Sequence, residues 1–157
     1  MASEGALGVR YVHTNLIARD WRALARFYVE ALGCEPAPPE RHLRGPWLDR
    51  LTGLSDAAAD GVHLRLPGAG GITLEIFEYT PANAPGGLQG IDRTGLGHLA
   101  FHVDDVPAAL CRLVEHGGSP LGEVVRMEIA GAGLLTVVYA RDPEGNCIEL
   151  QNWENTD

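Results

Sequence analysis

Residues 13–20, HTNLIARD, and residues 98–105, HLAFHVDD, follow the same pattern at an offset of 85 residues. Setting His13 on His98 also sets Asp20 on Asp105, Glu30 on Glu115 and Gly33 on Gly118. A repeat of this kind decides the architecture before any single motif is read. In each copy a short apolar stretch leads to an aspartate, whose carboxylate can accept from the free N–H groups of a first helical turn. Apolar residues then recur at helical spacing: Leu24, Phe27, Tyr28, Ala31 and Leu32 in one copy, Val106, Leu110, Leu113 and Val114 in the other. A glycine stands where each helix must stop, Gly33 and Gly118, as the left-handed conformation of a helix end favours.

Strand-length apolar or alternating segments follow each helix. They are Val62–Leu66 and Ile72–Tyr79 in the first unit, with a short piece at Cys34–Pro38, and Glu123–Ile129, Leu134–Ala140 and Cys147–Trp153 in the second. Turns rich in glycine and proline, at residues 67–71 and 142–145, separate them. Each unit therefore reads strand, helix, strand, strand, strand. The expectation is an α+β fold of two βαβββ modules in tandem, 9–80 and 96–153, joined by a linker at 81–95 that is rich in proline, glycine and polar residues. An insertion from Pro39 to Asp60 contains a predicted short helix, Trp47–Leu54, that either borders a pocket or is a surface excursion.

Parity along the strands sorts the side chains by face. His13 shares a face with Tyr11 and Asn15, while Leu74 and Ile76 oppose Glu75, Phe77 and Tyr79. Leu99 and Phe101 oppose His98 and His102, and Ile148 and Leu150 oppose Glu149. Two histidines and two glutamates thus lie opposite the aliphatic faces that the helices would cover. Joining the polar faces would enclose a cavity in which these four meet. Such a donor set suits Zn²⁺, Ni²⁺, Co²⁺, Mn²⁺ or Fe²⁺ and leaves positions for water or substrate oxygens. A single strand histidine is ordinarily just a hydrogen-bonded residue; it is the repetition that makes these two ligand candidates. By the same parity Tyr11, Asn15, His63, Phe77 and His102 are candidates for substrate contact or for supporting the ligands.

Bulk properties narrow the alternatives. The chain of 157 residues is 45% hydrophobic, as a folded domain requires, and carries a net charge of −9. No basic stripe is available for nucleic acid. No apolar run reaches the roughly 20 residues of a membrane span, and the start resembles no signal peptide, so a cytoplasmic protein is expected. All 12 basic residues are arginine, which excludes lysine Schiff-base chemistry and a phosphate-loop lysine. The three cysteines lack metal-type spacing and read as reduced thiols.

The segments VHTNLIARDWRALARFYVEALG, GITLEIFEY, GLGHLAFHVDDVPAAL and ARDPEGNCIELQNW together resemble the vicinal oxygen chelate superfamily of glyoxalase I, bleomycin resistance proteins and extradiol dioxygenases. The likeness spans about Val12 to Trp153 and is nearest to glyoxalase-like metal-binding members. It implies His13, Glu75, His98 and Glu149 as ligands of one divalent metal ion, with Glu149 or Glu75 as the base. The implied function is that of a metal-dependent lyase or isomerase, abstracting a proton next to a metal-chelated carbonyl of a small molecule. The alternatives are a metal-independent antibiotic-binding protein and a ring-cleaving dioxygenase. A homodimer is expected because two-fold dimers are the commonest oligomers.

Overall fold

The computed structural model describes residues 8–82 and 90–155. Most of the expected linker, 83–89, lies outside the described residues. The first half runs β1 (His13–Ile17), α1 (Trp21–Leu32), β2 (Glu35–Arg44), α2 (Pro46–Thr52), β3 (Ala58–Arg65) and β4 (Thr73–Thr80). The second runs β5 (Leu99–His102), α3 (Val106–Glu115), β6 (Ser119–Pro120), β7 (Val125–Ile129), β8 (Gly133–Arg141) and β9 (Cys147–Glu154). Each half forms one sheet, ordered β1-β4-β3-β2 and β5-β9-β8-β6, with β7 also on β8. In both, the first strand lies parallel to the last and the others are antiparallel. The two βαβββ units are therefore built alike, as the repeat predicts.

The structure departs from the predicted elements where proline interrupts a ladder. In the second half the predicted strand Glu123–Ile129 begins only at Val125, and Ser119–Pro120 pairs with the other end of β8, so one strand is split in two. In the first half β2 runs on to Arg44, past the predicted end at Pro38, with a register shift between Ala37 and Arg41 around its prolines. The insertion thus contributes strand as well as α2. Leu48 of α2 packs with Phe77, Ala57 and Ala59, so α2 covers one end of the polar face of the first sheet.

The helix ends are set largely as anticipated. Asp20 and Asp105 accept from the backbone N–H groups of Ala23 and Ala108. Gly33 closes α1 with φ +71°, while α3 ends instead on His116. The repeated glycine Gly118 has a different role from its counterpart: a Cβ there would stand 2.7 Å from the Arg141 carbonyl oxygen and 2.2 Å from Leu113 Cδ2. It is required for close packing.

One core serves both halves. Leu24 and Tyr28 of α1, Leu64 of β3 and Leu74 and Ile76 of β4 join Leu113 of α3, Ile148 and Leu150 of β9, each at most 1% exposed. At about 1.5–3 kcal/mol for each large apolar side chain fully buried, this cluster is the main force holding the halves together. The loop 142–146 adds polar contacts. Glu144 accepts from the backbone N–H groups of Arg19 and Asp20, and Arg112 of α3 donates to the Glu30 carbonyl of α1. The helix-covered faces of both sheets thus turn toward a common interior.

Candidate metal centre

Register across the first sheet places three polar residues in one row. Asn15 of β1 pairs with Glu75 of β4, which pairs with His63 of β3. Their even-numbered neighbours Leu64, Leu74 and Ile76 are buried in the core, so the row stands on the opposite face. Glu75 is held at both oxygens: Asn15 Nδ2 donates to Oε1 at 2.7 Å, and His63 Nε2 lies 2.7 Å from Oε2. His13, two residues before Asn15, brings its Nε2 to 3.8 Å from Oε1. The rings of His13 and His63 meet edge to face, with centroids 5.5 Å apart. One ligand atom from each of His13, His63 and Glu75 lies within 4.8 Å of the others.

His63 is also held from behind. Its Nδ1 is 2.8 Å from Thr73 Oγ1, and Phe77 presents its ring edge-on at 6.3 Å between centroids. Burial pushes the His63 imidazole below its ordinary value, and the charge of Glu75 opposes that shift. Desolvation thus favours the neutral ring, which is the form that can ligate a metal.

The second sheet carries the matching row with different chemistry. Ala100 of β5 pairs with Glu149 of β9, which pairs with Tyr139 of β8. His98, just ahead of β5, places Nε2 at 3.1 Å from Glu149 Oε2 and its ring 5.1 Å from that of Tyr139. Gln151 Nε2 donates to Glu149 Oε1 at 2.8 Å. Burial and then the neighbouring Glu149 carboxylate raise the Tyr139 phenol above its usual value, and the two share a hydrogen bond.

The four expected ligands therefore fall into two pairs, His13 with Glu75 and His98 with Glu149. Among the described residues no ion pair joins one pair to the other, and the three-residue cluster includes neither His98 nor Glu149. Both carboxylates face away from the shared core. The other candidates are distributed unevenly. Asn15 and His63 adjoin Glu75, whereas Phe77 is buried under α2 and forms a wall behind His63. Tyr11 is exposed ahead of β1 with its hydroxyl on Thr14, and His102 stands at the far end of β5, 3.9 Å from Asp104. A cleft of about 750 Å³ opens between the end of α1, the turn after β3 and β5, lined among others by Leu32, Leu66, Leu99, Phe101 and the candidate His102. None of the histidines and glutamates of the two pairs lines it.

Two neighbours of Glu149 lie outside the expected site residues. Gln151, two residues along the same strand, shares its face by parity. Tyr139 comes opposite Glu149 only through the β8–β9 register, which no local pattern signals.

The family model of the Glyoxalase/Bleomycin resistance protein/Dioxygenase superfamily matches residues 10–150. The chain belongs to this superfamily. Among curated proteins it is 29% identical to the uncharacterized protein YaeR of Escherichia coli, over 92% of this chain and 97% of that one. Among solved structures, a glyoxalase family protein from Bacillus cereus superposes with a TM-score of 0.73 at 24% identity, covering 96% of this chain and 97% of that one. A glyoxalase family protein from Enterococcus faecalis gives a TM-score of 0.56 at 25% identity, covering 94% and 98%. The two solved structures share this chain's α+β fold, and members of the superfamily often bind a divalent metal.

The donor set fits such an ion. Imidazole nitrogens and carboxylate oxygens are the ligands that Zn²⁺, Ni²⁺, Co²⁺, Mn²⁺ and Fe²⁺ accept. Each carboxylate is already steadied by neutral donors, Asn15 in one sheet and Gln151 and Tyr139 in the other, as outer partners steady ligands in metal sites. No helix among the described residues is long and apolar enough to cross a membrane.

Proposed function

We propose that this superfamily member is a divalent-metal-dependent lyase or isomerase that moves a proton on the carbon next to a carbonyl of a small-molecule substrate. The observation that carries the reading is the double His–Glu pairing, His13 with Glu75 and His98 with Glu149, on equivalent faces of two equivalent sheets. The proposal includes a homodimer in which the first sheet of one copy faces the second sheet of its partner, which would bring one pair from each chain together. Exposed apolar residues support such pairing: Val12 and Ile17 on and beside β1, Val125, Met127 and Ile129 on β7, and Trp153 on β9. A two-fold axis would form two identical sites from these halves.

A bound ion would supply Lewis acidity toward a substrate oxygen. The residues of the chain do the rest. Glu75, shared between two imidazoles, is the firmer ligand. Glu149, whose other partners are the neutral Tyr139 hydroxyl and Gln151 amide, is the carboxylate we assign as general base. The Tyr139 phenol, a hydrogen-bond donor at neutral pH, can donate to Glu149 and hold it toward the reacting carbon.

The test is deuterium exchange. Protein loaded in turn with Ni²⁺, Zn²⁺, Co²⁺ or Mn²⁺ is incubated in D₂O with hemithioacetals of methylglyoxal and several small thiols, and with 2-methyl-3-oxo thioesters. The expectation is label on the carbon beside the carbonyl, abolished by chelator and by Glu149→Gln with no oxygen consumed. Tight ligand binding that is indifferent to chelator, without exchange, would instead make the protein a binder. Oxygen uptake with a catechol would make it a dioxygenase.

A further inference from the structure

The two halves of the chain are alike in strand order but unequal in ligand chemistry. In the row that crosses each sheet through the glutamate, the third position is His63 in the first sheet and Tyr139 in the second. In this row, among the described residues, the first sheet offers a second nitrogen ligand and the second sheet does not. We propose that His63 is a direct metal ligand, and that His13, His63 and Glu75 form a three-ligand site which holds a divalent ion on the first sheet alone. The inference rests on the metal-dependent reading above and deepens it. The ion binds to one protomer first, and His98 and Glu149 of the partner add to a site already formed.

Three observations support this assignment. The Nε2 atoms of His63 and His13 approach opposite oxygens of the same carboxylate, at 2.7 and 3.8 Å, and one ligand atom from each of the three residues lies within 4.8 Å of the others. Ligand atoms about 2.1 Å from a common ion stand on the order of 3–3.5 Å apart, so small ring and carboxylate rotations suffice. The second observation is the partner of the remaining nitrogen. His63 Nδ1 lies 2.8 Å from Thr73 Oγ1, a hydroxyl that can donate to Nδ1 while Nε2–H bonds Glu75 and can accept from Nδ1–H once Nε2 turns its lone pair to an ion. The third is support from behind. Phe77 backs the His63 ring and is itself buried under α2, so the ring is held by packing as a ligand must be. Asn15 does the same for Glu75. In the second sheet His98 and Glu149 have no such third ligand, since Tyr139 brings a phenol.

The experiment uses Co²⁺ as the probe with the full chain. Wild type, His98→Ala/Glu149→Ala, and the same double variant carrying His63→Ala are loaded with Co²⁺, dialysed and assayed for metal per chain and for affinity against a competing chelator. The double variant is expected to keep close to one Co²⁺ per chain, and adding His63→Ala to weaken binding by at least about 100-fold. Proton NMR of the Co²⁺-loaded double variant should show a strongly shifted ring N–H from His63. Its exchange with water should quicken in Thr73→Ala. That signal needs no substitution at position 63, so it decides the matter even if His63→Ala fails to fold. A double variant that loses its metal while wild type keeps it, or that shows no such resonance, overturns the assignment and leaves the four-ligand site standing. Equal affinity in wild type and double variant, with the resonance present, upholds His63 and removes His98 and Glu149 from the site. No uptake by any of the proteins defeats both.

Discussion

Tyr28 and Asp142, 114 residues apart in the chain, meet in the core, where the phenol donates to Asp142 Oδ2 at 2.8 Å. Tyr28 belongs to the helix of the first half and Asp142 to the turn before the last strand of the second. The same carboxylate accepts from the backbone N–H groups of Glu144 and Asn146 and from Asn146 Nδ2. The bond therefore ties the two halves at the point where the turn closes.

Removing that donor should be costly. Tyr28→Phe leaves a buried carboxylate oxygen short of one partner, and hydrogen bonds to charged groups contribute about 1.5–3 kcal/mol. Urea unfolding should show a loss of that order in a single cooperative transition. A loss confined to one half, visible as two transitions, would mean that the bond does not join them.

The same group should make stability depend on pH. Burial raises the Asp142 carboxyl above its usual 3.8, and the hydrogen bonds from Asn146, Tyr28 and Glu144 only partly oppose it. The folded protein therefore binds this proton more tightly than the unfolded chain. The associated stability is full below 3.8 and is lost as pH rises through the folded value. Compared with Asp142→Asn, wild type should lose relative stability as pH rises above 3.8, the loss levelling off above the folded pKa. Parallel stability curves for the two proteins would contradict this.

Gly61 of β3 has no room for a side chain. A Cβ there would stand 2.0 Å from the Ile76 carbonyl oxygen and 2.2 Å from Phe77 Cδ1. Gly61→Ala should cost about 1–3 kcal/mol by overpacking and push the Phe77 ring away. Because Phe77 backs His63, metal affinity should fall with stability, and titration with Co²⁺ beside thermal unfolding would show both. A fall in stability alone would mean that the Phe77 ring does not position His63.

Asn15 tests the steadying of Glu75 more gently, since it touches the carboxylate and lies on a strand that Ala can occupy. Asn15→Ala removes the 2.7 Å bond to Oε1. Metal affinity should drop about 10-fold or more while thermal unfolding of the metal-free protein changes little. Unchanged affinity would assign Asn15 to some other role, such as substrate contact.

The residues that made the fold legible are those with strong local patterns. The repeat of His13 and His98, the aspartates that cap α1 and α3, and the alternation around Glu75 and Glu149 identified both sheets, their helices and their polar faces. Where proline breaks a ladder, at Ala37–Arg41 and at Ser119–Val125, local pattern was least informative, because the pairing continues on either side of the break.

The sequence by itself determined that two alike units exist and that each turns a histidine and a glutamate away from its apolar face, because strand parity and helical spacing are local properties. Only the tertiary structure decided which side chains meet. Cross-strand register put His63 beside Glu75 and Tyr139 beside Glu149, and the packing of α1, α3 and the 142–146 turn into one core joined the two units. Register and the packing of distant segments arise from non-local contacts, and a one-residue slip in pairing would send every side chain of a strand to the other face.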